Sequence, residues 1–178
     1  KTSVFNHLTG LRAKTGNYPG VTIGRRVGLT RMDGVEIAVE DLPGTYSLEP
    51  ISPDEKVVAD LLAGNVAGAN PPDAIVLVAD ATTLHRSITL VAQVLRLDVP
   101  CLLALTMTDE LIARGGGIAV DDLSTALGIP VIPVIAHRGG GIDTLRAQLA
   151  SFDRWQRPPI LPPGEDDAIE AWGRSVLK

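Results

Sequence analysis

Five short segments hold residue types that phosphate and purine chemistry require. Lys1-Thr2-Ser3 heads a stretch in which Val4, Phe5 and Leu8 share one helical face. A lysine and a hydroxyl at a helix start can close a phosphate-binding loop. The ammonium neutralises β/γ-phosphate charge there, and the Thr2 hydroxyl ligates Mg²⁺. The glycines that turn backbone N–H groups toward phosphate would stand before that lysine, so the tripeptide alone reads more readily as a polar helix start. Asp41-Leu42-Pro43-Gly44 follows a strand pattern. An aspartate there can hold Mg²⁺ through water, and Gly44 can bring its N–H to a γ-phosphate; an ordinary Pro-Gly turn explains the same residues. Thr106-Met107-Thr108-Asp109 follows a buried apolar run. Asp109 can accept from the N1–H and N2–H₂ edge of guanine, a donor pair that adenine lacks, or it can cap a helix. Ile135-Ala136-His137-Arg138 can offer backbone N–H groups to guanine O6, or simply lead into Gly139-Gly140-Gly141. In Gly16-Asn17-Tyr18-Pro19-Gly20-Val21-Thr22, Thr22 can supply a second Mg²⁺ ligand that senses the γ-phosphate, or belong to a solvent loop. His7, His85 and His137 have no metal-ligand spacing with Cys101, and no metal cluster is expected from them.

The elements that must position these segments follow from periodicity. Val35, Ile37 and Val39 alternate with Glu36, Ala38 and Glu40, the pattern of a half-exposed strand. Asp33-Gly34 predicts a tight hairpin turn, with Gly24 to Arg31 as the strand before it. Ala74 to Asp80, Cys101 to Leu105 and Val131 to Ile135 are apolar on both faces, as buried parallel strands are. Ser52-Pro53-Asp54-Glu55 has the capping-box form of a helix start, and Val58, Leu61 and Leu62 then share a face. Ile88, Val91, Ala92 and Leu95 have helical spacing. So do Leu123, Ala126 and Leu127, which end at a capping Gly128, and Ile142, Leu145, Leu149 and Phe152. Strands alternating with helices predict an α/β fold with a mainly parallel sheet. All five chemical segments then fall at strand carboxyl ends or at a helix N-terminus, where an open α/β sheet binds its ligand. Their order along the chain is that of the elements of a GTPase.

Composition bounds the function classes. The chain has 178 residues, 45% hydrophobic and 21% charged, with a net charge of -5. That suits one globular domain with a packed core. An acidic chain without clustered Lys and Arg argues against nucleic acid as a partner. One cysteine excludes a disulfide scaffold. The apolar runs are far shorter than the roughly 20 residues of a spanning helix. Arg157 to Gly164 reads as a Pro-rich linker, and Asp166 to Lys178 as a helix after it. The expected organisation is a G domain over 1–157, a linker over 158–164 and the start of a helical domain over 165–178.

With these residues in place, the sequence resembles the cytosolic G domain of the FeoB ferrous-iron transport family. Lys1 to Gly10, Gly16 to Thr22, and Asp41-Leu42-Pro43-Gly44-Thr45-Tyr46-Ser47-Leu48 carry the resemblance. Asp54-Glu55, Pro130 to Pro133 and Arg138 to Ile142 also match. The resemblance implies a Ras-like P-loop GTPase fold with one antiparallel edge strand in a mostly parallel sheet. It implies GTP/GDP and Mg²⁺ as ligands, slow hydrolysis, and K⁺ activation through an asparagine that would precede Lys1. Lys1, Thr2 and Ser3 would close the phosphate loop. Gly20-Val21-Thr22-Ile23 would be switch I, and Asp41-Leu42-Pro43-Gly44 would open switch II. Thr106 to Asp109 and Ile135-Ala136-His137 would hold guanine. Thr2, Thr22 and Asp41 would be the Mg²⁺ ligands, and Lys1, Thr22 and Gly44 the residues closest to the chemistry. The implied partners are the protein's own membrane permease and helical domain, and small cytosolic iron-transport accessory proteins, at the cytoplasmic face of the bacterial inner membrane. Three positions depart from the pattern. Thr106 stands where the family has an asparagine that reaches guanine N7, Ala136 stands for a frequent serine, and Thr45 stands where Ras-type enzymes carry a water-orienting glutamine. The start at Lys1 also predicts that the first strand and the phosphate-loop glycines lie outside this chain. A gap between the strands near Asp41 and Asp80, an unstable isolated chain and weak GTP binding by it are then expected. The alternatives are a regulatory module with weak or lost hydrolysis and a tRNA- or ribosome-associated GTPase.

Overall fold

A computed structural model of the chain describes residues 1–159 and 161–177. In chain order the elements are α1 (Thr2–Thr9), β1 (Lys14–Asn17), β2 (Gly24–Met32), β3 (Val35–Asp41), α2 (Pro53–Leu62), β4 (Ile75–Asp80), α3 (Ile88–Leu95), β5 (Cys101–Thr106), α4 (Thr108–Ala113), α5 (Val120–Leu127), β6 (Val131–Val134), α6 (Ile142–Leu149) and α7 (Asp166–Val176).

The fold is α/β, and its strands form two three-stranded sheets. β4, β5 and β6 are parallel, with Asp80, Thr106 and Val134 in register at their carboxyl ends. β1, β2 and β3 are antiparallel. The turn between β2 and β3 puts both Asp33 and Gly34 at positive φ, the tight hairpin geometry that this residue pair favours. β3 and β4 do not pair with each other.

The double-sided apolar character of β5 explains the layering. Cys101, Leu103 and Leu105 face a core formed with Val91, Val94 and Leu95 of α3 and Leu123 and Leu127 of α5. Leu102 and Ala104, pointing the other way, meet Val4 and Leu8 of α1 and Ile142, Leu145 and Leu149 of α6. A strand with period-2 alternation and both faces buried must be covered by helices on both sides. At the start of α2 the capping box is complete: Ser52 accepts from the Glu55 N–H, and Glu55 accepts from the Ser52 N–H. Gly128 ends α5 in the left-handed conformation at φ 70°.

Some elements differ from the sequence pattern. β1 replaces part of the expected loop. Its four residues, Lys14 to Asn17, are all exposed, so only backbone pairing with β2 makes it a strand. α4 is a six-residue helix that buries none of its residues, and so it leaves no apolar period to read. α6 stops at Leu149, and Phe152 lies in a following 3₁₀ turn that still packs on the core. β6 stops at Val134; Ile135 instead bridges to Gly140. The Arg157–Gly164 segment has neither helix nor strand at its described positions, with Ile160 outside the described residues. Its path is fixed by Arg96 Nη1, which donates to the Pro162 carbonyl at 2.8 Å. The helix after it covers Asp166–Val176, and Lys178 lies outside the described residues.

Candidate functional site

The amino end of α1 and the carboxyl end of β3 bring the first two chemical segments together. Lys1 is the N-cap of α1. Its Nζ lies 3.0 Å from Asp41 Oδ1. The Asp41 side chain is only 8% exposed, and its Oδ1 accepts no hydrogen bond. The lysine therefore meets it as an ion pair without hydrogen-bond alignment. On the other side, Arg26 Nη1 is 3.8 Å from Asp41 Oδ2. The Arg26 guanidinium stacks over the Phe5 ring at 5.1 Å, and its Nη2 donates to Asn6 Oδ1 at 3.4 Å. A buried carboxylate thus faces two cations, one from the helix start and one from the neighbouring strand. A carboxylate with an unsatisfied buried oxygen fits a hard cation or a cation-bound water.

Thr2 and Ser3 are exposed on the first turn of α1. Gly20, Val21, Thr22 and Ile23 line an open cleft of about 940 Å³ between the loop after β1 and the start of α2 at Pro53 and Asp54. No hydrogen bond or ion pair among the described residues joins Thr22 to Lys1 or Asp41. The loop is anchored by Tyr18, which is 1% exposed and packs with Val57 and Leu61 of α2. The Tyr18 hydroxyl donates to Glu40 Oε1 at 2.7 Å, and Arg25 binds the same carboxylate through two hydrogen bonds, at 3.0 and 3.1 Å. Burial first, and then the Glu40 carboxylate, push the Tyr18 phenol well above its usual range. The bidentate bond to Glu40 raises Arg25 in turn. Sequence reasoning missed this triad, because its members stand 15 and 22 residues apart and meet only through strand register.

Leu42, Pro43 and Gly44 continue from Asp41 into a segment that is held from two sides. The Thr45 hydroxyl donates to the Ser47 carbonyl and reaches Glu55 Oε1 at 3.3 Å. Glu55 also accepts from the Ile51 and Ser52 N–H groups, and these bonds, the Ile51 one foremost, lower its pKa. Gln93 Oε1, on α3, accepts from the Leu48 N–H at 2.6 Å and from the Ser47 hydroxyl at 3.2 Å. Gln93 was not among the candidates; a glutamine on an apolar helix face was the available signal.

The last two segments meet at the other end of the parallel sheet's rim. Met107 takes a positive φ of 60° and turns the chain from β5 into α4. Asp109 then lies in the first turn of α4, and its side chain caps no helix N–H. His137 Nε2 lies 3.7 Å from Asp109 Oδ2. Ile135 and Ala136 lead to that histidine from the end of β6. Thr106, at the end of β5, donates its hydroxyl to the Ala79 carbonyl of β4 at 2.9 Å.

The family model of ferrous iron transport protein B matches residues 1–149. The chain belongs to this family. Over 146 residues it is 40% identical to the Fe(2+) transporter FeoB of Salmonella typhimurium, covering 82% of this chain and 19% of that protein. The chain therefore spans about a fifth of the length of this FeoB relative. The cytosolic domain of T. maritima FeoB in its GMPPNP form superposes with a TM-score of 0.82 at 34% identity, over 93% of this chain and 64% of that one. Its GDP form I gives the same score, identity and share of this chain, and 63% of that one. Membership of the FeoB family makes this a G domain of the GTPase type. Among the described residues no helix is long and apolar enough to cross a membrane.

Proposed function

We propose that this domain binds GTP and GDP, hydrolyses GTP slowly, and regulates Fe²⁺ uptake through a permease domain of the same protein at the cytoplasmic face of the bacterial inner membrane. The observation that carries the reading is the Lys1–Asp41 pair, an ammonium at a helix start 3.0 Å from a buried carboxylate oxygen that accepts no hydrogen bond. Those are the charges that a metal–triphosphate ligand separates and re-pairs: the lysine goes to phosphate oxygens, and the carboxylate to the metal's hydration shell. Family membership and the GDP and GMPPNP forms of the T. maritima relative support the same ligand class.

Mg²⁺ would be held by the hydroxyls of Thr2 and Thr22, with Asp41 acting through water. When bound it supplies charge neutralisation at the phosphates. Lys1 balances β/γ-phosphate charge, and the Gly44 N–H faces the γ-phosphate. Thr45 supplies no acid–base group, since its hydroxyl is turned onto Ser47 and Glu55. Water orientation then falls to backbone amides, which fits slow turnover. The K⁺ expected from the resemblance draws on an asparagine that is not a residue of this chain. Guanine is read by Asp109, with the Ile135-Ala136-His137 loop beside it. The helical domain and small accessory proteins are the proposed partners.

The test uses the full-length protein containing this chain. Calorimetric titration should show GDP preferred over ADP by roughly tenfold or more, and Asp109→Ala should erase that preference, since two hydrogen bonds to a charged acceptor are lost. Equal binding of GDP and ADP by the natural protein would refute guanine recognition. Fe²⁺ uptake into reconstituted vesicles that is the same with GTP and with GDP would refute regulation.

A further inference from the structure

We infer that this G domain reads guanine's N1/N2 edge through Asp109 and leaves N7 unread, because the Thr106 hydroxyl is engaged inside the sheet. The inference rests on the guanine-binding reading above. A threonine hydroxyl has one proton to donate. That of Thr106 goes to the Ala79 carbonyl at 2.9 Å, across the last rung between β5 and β4, where Thr106 stands in register with Asp80. Guanine N7 is an acceptor only, and so it needs a donor. To serve N7, Thr106 would have to give up the Ala79 carbonyl, which sits in the strand ladder beside the core residue Ala79. The exchange replaces one neutral hydrogen bond with another and brings no net gain.

Asp109 is differently placed. Its carboxylate makes no capping bond in α4, and among the described residues its one ion pair is with His137 Nε2, 3.7 Å from Oδ2. Neither carboxylate oxygen accepts a hydrogen bond among the described residues, so both can take the N1–H and N2–H₂ donors, and charge-assisted bonds of that kind are roughly twice as strong as neutral ones. Specificity at this rim is therefore unequal. It is strong on the face of the base that carries protons and absent on the N7 side.

The test compares four nucleotides by calorimetry on the full-length protein: GDP, 7-deaza-GDP, IDP and ADP. 7-Deazaguanine replaces N7 by C–H and leaves the N1/N2 edge intact. Hypoxanthine keeps N7 and lacks the N2 amine. The expected result is that 7-deaza-GDP binds within twofold of GDP, while IDP binds at least fivefold more weakly and ADP more weakly still. A fivefold or greater loss with 7-deaza-GDP, with GDP still preferred over ADP, would overturn the Thr106 inference and leave guanine recognition standing. GDP and ADP binding alike would overturn both.

Discussion

Tyr18→Phe tests whether the loop over Gly20 to Ile23 is held by a polar anchor or by packing alone. The substitution removes one atom and keeps the ring against Val57 and Leu61. The lost bond runs from the phenol to Glu40 Oε1 at 2.7 Å. A hydrogen bond to a charged partner contributes about 1.5–3 kcal/mol. Glu40 keeps its two bonds from Arg25, so its charge is not left alone and the lower end applies. At roughly 2–4 °C per kcal/mol for a chain of this size, the melting temperature should fall by about 3–6 °C at neutral pH. The pH dependence adds a second readout. Burial and the Glu40 carboxylate raise the Tyr18 phenol above its ordinary value of about 10. A group raised in the folded state contributes its full stabilisation below the unfolded pKa and loses it as the pH climbs toward the folded one. The natural chain should therefore lose stability above about pH 10 more steeply than Tyr18→Phe does, because only the former must ionise a buried phenol. Thermal melts of both chains from pH 7 to 11, followed by tryptophan emission, give the comparison. Equal melting at pH 7 with parallel alkaline limbs would refute the anchor.

Three further outcomes follow from single contacts. Cys101 is 1% exposed and its thiol is pushed up to about 11 by burial, so it should resist a thiol reagent at pH 8 in the folded chain and react within minutes in denaturant; rapid native labelling would contradict the packing of β5. Glu55 is held below its usual range by the Ile51 and Ser52 N–H groups and by Thr45, so its contribution is present above about pH 4.3 and lost as the pH falls. Glu55→Gln should flatten that acid limb, and an unchanged acid melt would count against the capping box. Gln93→Leu should free the Leu48 N–H and the Ser47 hydroxyl, and should speed proteolysis at Thr45–Glu49 without displacing α3; unchanged cleavage would show that Gln93 does not hold the segment.

The local devices were legible in the sequence. Ser52 with Glu55, Asp33 with Gly34, and Gly128 each fix geometry within three or four residues, and each does so here. The buried strands were legible because β5 is apolar on both faces, and only a two-sided covering satisfies that. What the sequence hid is of two kinds. β1 and α4 bury nothing, so they exist through backbone pairing and chain direction and leave no apolar period. The site's pairings hid for another reason. Lys1 with Asp41, Asp109 with His137, Thr106 with Ala79 and Tyr18 with Glu40 join residues far apart in sequence. Residue type suggests a role for each member, and only the fold chooses the partner. Thr106 shows the difference: its identity signals a weaker guanine contact, while its position shows that the hydroxyl already has a use.

The place of α7 can be decided by one glycine. Ile169 is buried, and Trp172, Val176 and Leu177 pack on the core that α3 and α5 share. The helix comes this close because Gly173 has no side chain. A Cβ there would stand 2.7 Å from Ile88 Cγ1 and 3.0 Å from its Cγ2, and Ile88 is itself buried in α3. Alanine at Gly173 would gain about 1 kcal/mol in helix propensity and lose about 1–3 kcal/mol to overpacking, so its net effect is too small to decide. Leucine has no such ambiguity, since three further carbons must enter a space that is already filled. Gly173→Leu should lift α7 from α3 and shift tryptophan emission to the red as Trp172 meets water. Ala171→Leu, on the exposed side of the same helix, places the same side chain two residues away and should leave emission in place. If both variants emit like the natural chain, α7 does not rest on this core. If only Gly173→Leu shifts, the helix is part of the G domain's own packing, and any movement of α7 must pull on α3, the helix from which Gln93 holds the segment after Gly44.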